Sequence, residues 1–259
     1  MIIDAHAHIT QLNGKYWGVQ DLLQSMDEAG IDMSLVIAGE FVGESTEKIL
    51  DLCNKEKRIR IIGDITYTKL SDVYLVRRFE QIKTEQIIGI KFYPGYQDFY
   101  PYDKKLFPVY KYCEQTHTPI VFHMGVLEVG YEGNGEQTHP KHIDTVAKSF
   151  PNLKIVIAHL GNPWIEDTAR LVKMYPHVYT DVSAYFTEYQ KIVEQEKVEF
   201  LQAMKSFKSI AGNFTKCLFG TDWPLYDQKD YLQVVQQIPM TFEEKELIYW
   251  KNAKKIFTL

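Results

Sequence analysis

Along the chain, short runs of β-branched and aliphatic residues alternate with longer stretches whose apolar positions recur at helical spacing. The short runs predict strands over residues 2–8, 33–38, 60–65, 87–93, 119–123, 154–159, 178–182 and 216–222. Between them, residues 20–29 put Leu22, Leu23 and Met26 on one side and stop at Gly30, which predicts a glycine-capped helix. Residues 71–83 space Val73, Leu75, Val76, Phe79 and Ile82 in the same way, and 106–117 and 143–150 repeat the pattern. Runs such as Ile155-Val156-Ile157-Ala158 are apolar throughout, as strands are when helices cover both faces of a parallel sheet. Strand ends fall about 30 to 40 residues apart, the length of a strand–helix–strand unit. Eight such units predict an α/β fold, a single-domain (β/α)8 TIM barrel spanning residues 1–259. An open doubly wound sheet also fits the alternation, but no glycine-rich phosphate loop follows the first run, which argues against its dinucleotide-binding form.

In a barrel of this kind the chemistry sits at the C-terminal ends of the strands, and metal-capable residues fall there. His6 and His8 end the first run, in Asp4-Ala5-His6-Ala7-His8; two apart on a strand, they share a face. His123 ends the fifth run, His159 the sixth and Asp222 the eighth. Each closes an apolar run, where a bare imidazole or carboxylate is costly without a partner. One bound cation would satisfy them all. The plainer alternative, five separately satisfied polar strand ends, needs five unrelated partners.

These segments, with Gly89-Ile90-Lys91, Ala158-His159-Leu160-Gly161-Asn162-Pro163-Trp164, Tyr179-Thr180-Asp181-Val182-Ser183, Phe219-Gly220-Thr221-Asp222-Trp223-Pro224 and Asn252-Ala253-Lys254-Lys255-Ile256-Phe257, resemble the amidohydrolase superfamily. Within it the chain is similar to the amidohydrolase-related group, which includes non-oxidative decarboxylases. The resemblance implies that His6, His8, His123 and Asp222 hold a single metal, and that His159 polarises the water or holds substrate. It implies catalytic roles for Asp222, as proton acceptor, and for His159. Three imidazoles and a carboxylate suit Zn²⁺, with Mn²⁺ or Fe²⁺ as alternatives by ligand type. Lys91 stands where binuclear members carry a carbamylated lysine between two metals. Unmodified, its ammonium is repelled by a dication and would point aside or bind an anionic substrate. A single ion is therefore the expectation, and a binuclear centre with carbamylated Lys91 the alternative.

Composition narrows the partners. Net charge is −5 with no long basic stretch, which argues against nucleic acid. No apolar run is long enough for a membrane span, and Met1-Ile2-Ile3-Asp4 does not open like a signal peptide, so a cytoplasmic protein is expected. Cys53, Cys113 and Cys217, odd in number and far apart, fit free thiols in a reducing compartment. The expected partner is a small-molecule substrate, and a homodimer is left open.

The leading expectation is a hydrolase that cleaves an amide, ester or lactone with a metal-activated water. The alternative is a non-oxidative carboxy-lyase acting on an aromatic or conjugated acid. None of the five arginines, Arg58, Arg60, Arg77, Arg78 and Arg170, ends a strand, so carboxylate binding would fall to Lys91, His159, the metal or an arginine from a neighbouring subunit. TatD-type deoxyribonucleases also open with His-x-His, but they carry a glutamate on the fourth strand where this chain has Lys91. A non-catalytic binding barrel would not need all four ligands and His159.

Further residues fall near the same end. Tyr93, Ser183 and Trp223 are candidate substrate contacts, with Asp181, Asp64 and Glu40 similarly placed. Phe92-Tyr93-Pro94-Gly95-Tyr96, with Phe99, Tyr100 and Tyr102, would line an aromatic pocket or pack over the rim. Residues 124–142, with Gly125, Gly130, Gly133 and Gly135, have the composition of a lid, and His139 and His142 read as exposed loop residues. His117 and His177 precede strands and read as structural.

Overall fold

The apolar runs pair as a parallel ladder. In the computed structural model, which describes residues 1–40, 42–127, 132–187, 189 and 191–259, they are β1 (Ile3–Ala7), β2 (Met33–Ile37), β3 (Ile59–Asp64), β4 (Gly89–Phe92), β5 (Ile120–Phe122), β6 (Ile155–Ile157), β7 (Val178–Asp181) and β8 (Cys217–Leu218). Each strand pairs in parallel with its sequence neighbour, giving one eight-stranded sheet in sequence order. Beyond the ladders, the sheet closes through backbone bonds between β1 and the segment after β8. Ala5 N–H donates to Phe219 (2.9 Å), Asp222 N–H to His6 (2.8 Å) and His8 N–H to Trp223 (2.6 Å). The fold is a single-domain TIM barrel. A short hairpin, Thr10–Leu12 against Lys15–Trp17, follows β1 at the rim.

Period-two alternation sorts the strand side chains into two cores. Ile3, Ala5, Leu35, Ile37, Ile62, Val121, Val156, Tyr179 and Leu218 fill the barrel interior. Val36, Ile61, Ile90, Phe92, Ile120, Phe122, Ile155 and Ile157 pack outwards. The outer layer is α1 (Val19–Ala29), α2 (Thr46–Cys53), α3 (Asp72–Lys83), α4 (Phe107–Thr116), α5 (His142–Ser149), α6 (Ile165–Met174), α7 (Glu194–Ala211) and α8 (Gln228–Val235). A last helical segment, α9 (Phe242–Glu246) and α10 (Asn252–Phe257) joined by a π-turn at Leu247–Lys251, seals the lower end. There Ala253, Ile256 and Phe257 join the interior core, and the Phe257 ring lies where a Cβ at Gly89 would come within 3.1 Å.

Two expectations need correction. On α3, Val73 and Val76 are exposed (83% and 66%), while Arg78 and Gln81 are buried. Arg78 turns inward because it pairs with Glu47 (2.5 Å) and Asp64 (3.3 Å), partners the apolar spacing does not reveal. His142 is not an exposed loop residue: it opens α5, is buried, and places Nε2 2.8 Å from the Glu136 carbonyl. His139 is half-buried and stacks on Trp164.

Candidate metal centre

The first strand is irregular where the site begins. Ile3 pairs with Met33 and Asp4 with Ser34, but Ala7 pairs with Val36, so three steps on β1 match two on β2. The bulge inverts the alternation. Ile3 and Ala5 belong to the interior, yet beyond the bulge Ala7 and Ile9 pack outwards, and His6 and His8 line the cavity. Asp4, on the outer side, is fully buried. Its Oδ1 accepts from the N–H of His6 (3.1 Å) and Thr221 (3.0 Å), and its Oδ2 from the Thr221 hydroxyl (2.6 Å) and the Gln228 amide (2.7 Å). One carboxylate thus ties β1 to the loop that carries Asp222. In the sequence Asp4 stands out only as a member of the Asp4-Ala5-His6-Ala7-His8 run, because its partners Thr221 and Gln228 lie 217 and 224 residues away.

Two predicted strand ends are turns. β6 stops at Ile157, and His159, Leu160 and Gly161 follow in left-handed conformation (φ 60°, 55° and 62°). β8 stops at Leu218, and Asp222 is likewise left-handed at φ 67°. Strain of this kind at non-glycine residues persists where surrounding contacts fix it. His159 N–H donates to Asp181 Oδ1 (2.9 Å), and Asp222 N–H to the His6 carbonyl. Gly220 permits the approach of β1, since a Cβ there would lie 3.0 Å from that of His6.

His6, His159 and Asp222, all buried, bring one ligand atom each within 4.8 Å of one another, an arrangement able to hold a metal ion. His8 adjoins them, with Nε2 3.0 Å from Asp222 Oδ1, and His6 Nε2 is 3.7 Å from the same oxygen. The His123 ring lies 4.9 Å from that of His159. The outer nitrogens are engaged. His6 Nδ1 donates to Asp181 Oδ2 (3.1 Å) and His8 Nδ1 to the Ile37 carbonyl (2.9 Å). The Ser183 hydroxyl donates to Asp181 Oδ1 (2.5 Å), so it accepts from His159 Nδ1 (2.9 Å). These bonds put the proton on Nδ1 in three imidazoles and turn Nε2 to the centre. In His123 the order is reversed: Nε2 donates to the Val126 carbonyl (3.2 Å).

The donor set fits a cation. Among the described residues, His6 Nε2 and Asp222 Oδ1 are buried without a hydrogen-bond partner. Burial and Lys91 hold the His6 imidazole below its ordinary value, burial and His6 lower His159 to about 3, and burial and His159 hold His123 well down. All three are neutral at neutral pH, the form that coordinates. Burial pushes the Asp222 carboxyl up, but the imidazoles of His6, His8 and His159 outweigh it and keep it ionised. Lys91, inside the barrel one pleat below Tyr93, is fully buried, and burial lowers its ammonium to about 8. Its Nζ and the Tyr93 hydroxyl have no hydrogen-bond partner among the described residues.

Above this cluster opens a cavity of about 560 Å³, lined by Lys91, Tyr93 and all the histidines just named. Its walls include Tyr16, Tyr96, Tyr185, Phe186 and Tyr226, so of the predicted aromatic segment Tyr93 and Tyr96 reach the cavity. Phe99, Tyr100 and Tyr102 pack elsewhere, Phe99 on Tyr67 and the other two beside His142. Ser183 and Asp181 contact the histidines instead of the cavity, and Trp223 packs edge-on against Trp17. Asp64 is bound to Thr46 and Arg78, and Glu40 pairs with Lys69 at the surface. Of the predicted lid, residues 128–131, Gly130 among them, lie outside the described residues. Beside them, Gly125 N–H donates to Thr138 (3.0 Å) and Val126 N–H to Asn162 (2.9 Å).

The closed parallel barrel thus carries, at the C-terminal ends of its strands, a histidine–aspartate cluster able to hold a metal ion. Residues 3–259 match the Amidohydrolase family model, and the chain belongs to that family. A probable 2-pyrone-4,6-dicarboxylic acid hydrolase from Acinetobacter baumannii, with citric acid bound, shares the fold at 18% identity and TM-score 0.74, covering 100% of this chain and 99% of that one. So does an amidohydrolase from Burkholderia multivorans with bound zinc (17% identity, TM-score 0.73, 100% and 99% covered). A dihydroxybenzoic acid decarboxylase from Polaromonas, with manganese and the inhibitor 2-nitroresorcinol, aligns at 15% identity and TM-score 0.75, over 100% and 97%. Protein fluG of Emericella nidulans is 22% identical over 156 residues, which are 56% of this chain and 18% of that protein. Among the described residues no helix is long and apolar enough to cross a membrane.

Proposed function

We propose that the chain is a metal-dependent hydrolase of a small-molecule amide, ester or lactone. The observation that carries this reading is the buried His6–His159–Asp222 cluster opening into a cavity with no arginine among its described lining residues. One Zn²⁺ per chain, on His6, His8, His123 and Asp222, is the favoured occupancy, with Mn²⁺ or Fe²⁺ as substitutes. When bound, the ion polarises a carbonyl and lowers the pKa of water towards about 7. Asp222 accepts the proton of the attacking water. His159, held by Ser183 and Asp181, faces the cavity and positions water or the substrate carbonyl. The aromatic walls seat the rest of the substrate.

Two observations support second readings. His159 brings a ligand atom within 4.8 Å of those of His6 and Asp222, so it could serve as a ligand, as a binuclear centre with carbamylated Lys91 would require. The tyrosine-rich cavity would also suit an aromatic acid, the substrate of a carboxy-lyase. The lack of a cavity arginine weighs for hydrolysis. The acidic net charge weighs against a TatD-type deoxyribonuclease.

Chelator-treated protein, restored with Zn²⁺ or Mn²⁺, should be assayed on panels of lactones, esters and amides and on aromatic carboxylic acids. Metal-restored cleavage of the first panel without CO2 release from the second is the expected result. Metal-dependent CO2 release alone would overturn the hydrolase reading.

A further inference from the structure

We infer that the chain forms a two-fold dimer through the outer stripe of α7 and the start of α9, with Phe242 of each copy seated in a groove of the other. The groove, of about 570 Å³, lies between α7 and the segment that follows α8. Val198, Leu201, Lys205 and Lys208 reach it from α7, spaced three or four residues apart along one stripe of the helix. Phe214, Ile238 and Pro239 complete an apolar lining. None of these residues borders the cavity above the histidines, so the surface is separate from the candidate metal centre. Phe214 precedes β8 and Pro239 precedes α9, which puts the groove towards the lower end of the barrel.

Three observations name a second copy as the occupant. Phe242 opens α9 and is 78% exposed, so it does not fill the groove beside it. A lone exposed phenylalanine is ordinary, but here it stands next to an open apolar groove of matching chemistry. Knob and groove also belong to one rigid unit. Thr241 caps α9 in a reciprocal capping box with Glu244. The buried Glu244 accepts in turn from Phe214 N–H (3.2 Å) and from Lys208 Nζ (2.9 Å), two residues of the groove. A two-fold axis beside this unit sets each knob in the opposite groove and satisfies both contacts at once, the isologous arrangement. The charges agree as well. Glu243 follows the knob and Lys205 lines the groove, both exposed and neither in an ion pair among the described residues. Seating Phe242 across the axis brings Glu243 to Lys205 of the second copy. An aromatic anchor in an apolar pocket with a charged pair at its rim is the anatomy of a protein interface.

The test is sedimentation equilibrium of the full chain over a concentration series reaching about 100 µM, where even a weak interface registers. A monomer–dimer equilibrium is expected. Phe242→Ser should raise the dimer dissociation constant at least about tenfold, because each dimer loses two buried rings. Glu243→Lys and Lys205→Glu, each alone, set like charges together at both contacts and should weaken the dimer. Mixed in equal amounts, these two variants should form a heterodimer tighter than either homodimer, since both contacts then join opposite signs. All three positions are exposed, so the fold should be unchanged by circular dichroism. A wild-type chain that stays monomeric throughout would overturn the proposal and leave the groove to a different occupant. So would a dimer indifferent to Phe242→Ser, or charge variants that gain nothing on mixing, since either result puts the interface on another face. Sedimentation reads no turnover, so the dimer and the hydrolase reading fail separately.

Discussion

Asp181 holds His6 from behind: its Oδ2 lies 3.1 Å from His6 Nδ1, on the side of the ring opposite Asp222. The same carboxylate, through Oδ1, accepts from the Ser183 hydroxyl and the His159 backbone. Burial pushes the Asp181 carboxyl up, yet the His6 imidazole beside it holds it well below the usual range, so it stays an acceptor. Residues that fix a ligand's tautomer in this way commonly contribute about 10–100-fold to metal affinity. Asp181→Asn should therefore weaken metal binding by that order while leaving the fold intact. Competition with a chromogenic chelator measures it, and unchanged affinity would remove Asp181 from the centre.

Metal content near one equivalent per chain is expected, because Lys91, buried in the same cavity as the candidate ligands, would repel a second dication as an ammonium. Elemental analysis of protein purified without chelator decides the point. Two equivalents together with a carbamate on Lys91 would establish the binuclear alternative.

Asp4 supplies a test of stability against pH. Burial raises its carboxyl to about 6, with the Thr221 hydroxyl, the Gln228 amide and two backbone N–H groups pulling the other way. The folded value lies above that of an unfolded chain, about 3.9. The native state thus binds this proton more tightly. The resulting stability is complete below the unfolded value and is lost as pH rises through the folded one. Asp4→Asn has no such dependence, but it turns an amide N–H towards donors, at a cost of about 1–3 kcal/mol. In chelator-treated protein, the melting deficit of the variant should shrink as pH rises from about 4.5 to about 7.5. A deficit constant across that range would mean that Asp4 does not titrate there.

The residues of this site were more legible than their geometry. Short continuous apolar runs and helices of period 3.6 define the barrel, since each strand must be covered on both faces. The ends of those runs mark His6, His8, His123, His159 and Asp222 as neighbours in space. What periodicity cannot register is a change of phase. The β1 bulge and the left-handed turns at His159 and Asp222 arise from long-range bonds, such as Thr221 to Asp4, 217 residues apart. The buried Arg78 on α3 escaped notice for the same reason, because its partners lie on α2 and β3. Asp181 and Ser183 carried a local signal, a polar pair straddling a strand end, but their partners on β1 and after β6 decide what the signal means.

Asp222→Asn separates holding a metal from moving a proton. Asparagine keeps the size of the side chain and one oxygen facing His6 and His8, but it cannot accept a proton near neutral pH. The histidines remain, so metal should be retained at reduced affinity, as read by elemental analysis after equilibration. The rate of hydrolysis should fall by about 10²–10⁴, the range typical of lost general acid–base help. With metal content matched between samples, that loss should persist across the whole pH range in which the wild type gains activity, because Asp222 is ionised throughout it and able to accept the water's proton. Near-wild-type turnover in metal-replete Asp222→Asn would transfer the role of base to another group. His159 is the first candidate, since its Nε2 faces the same cavity and its Nδ1 is already held by Ser183.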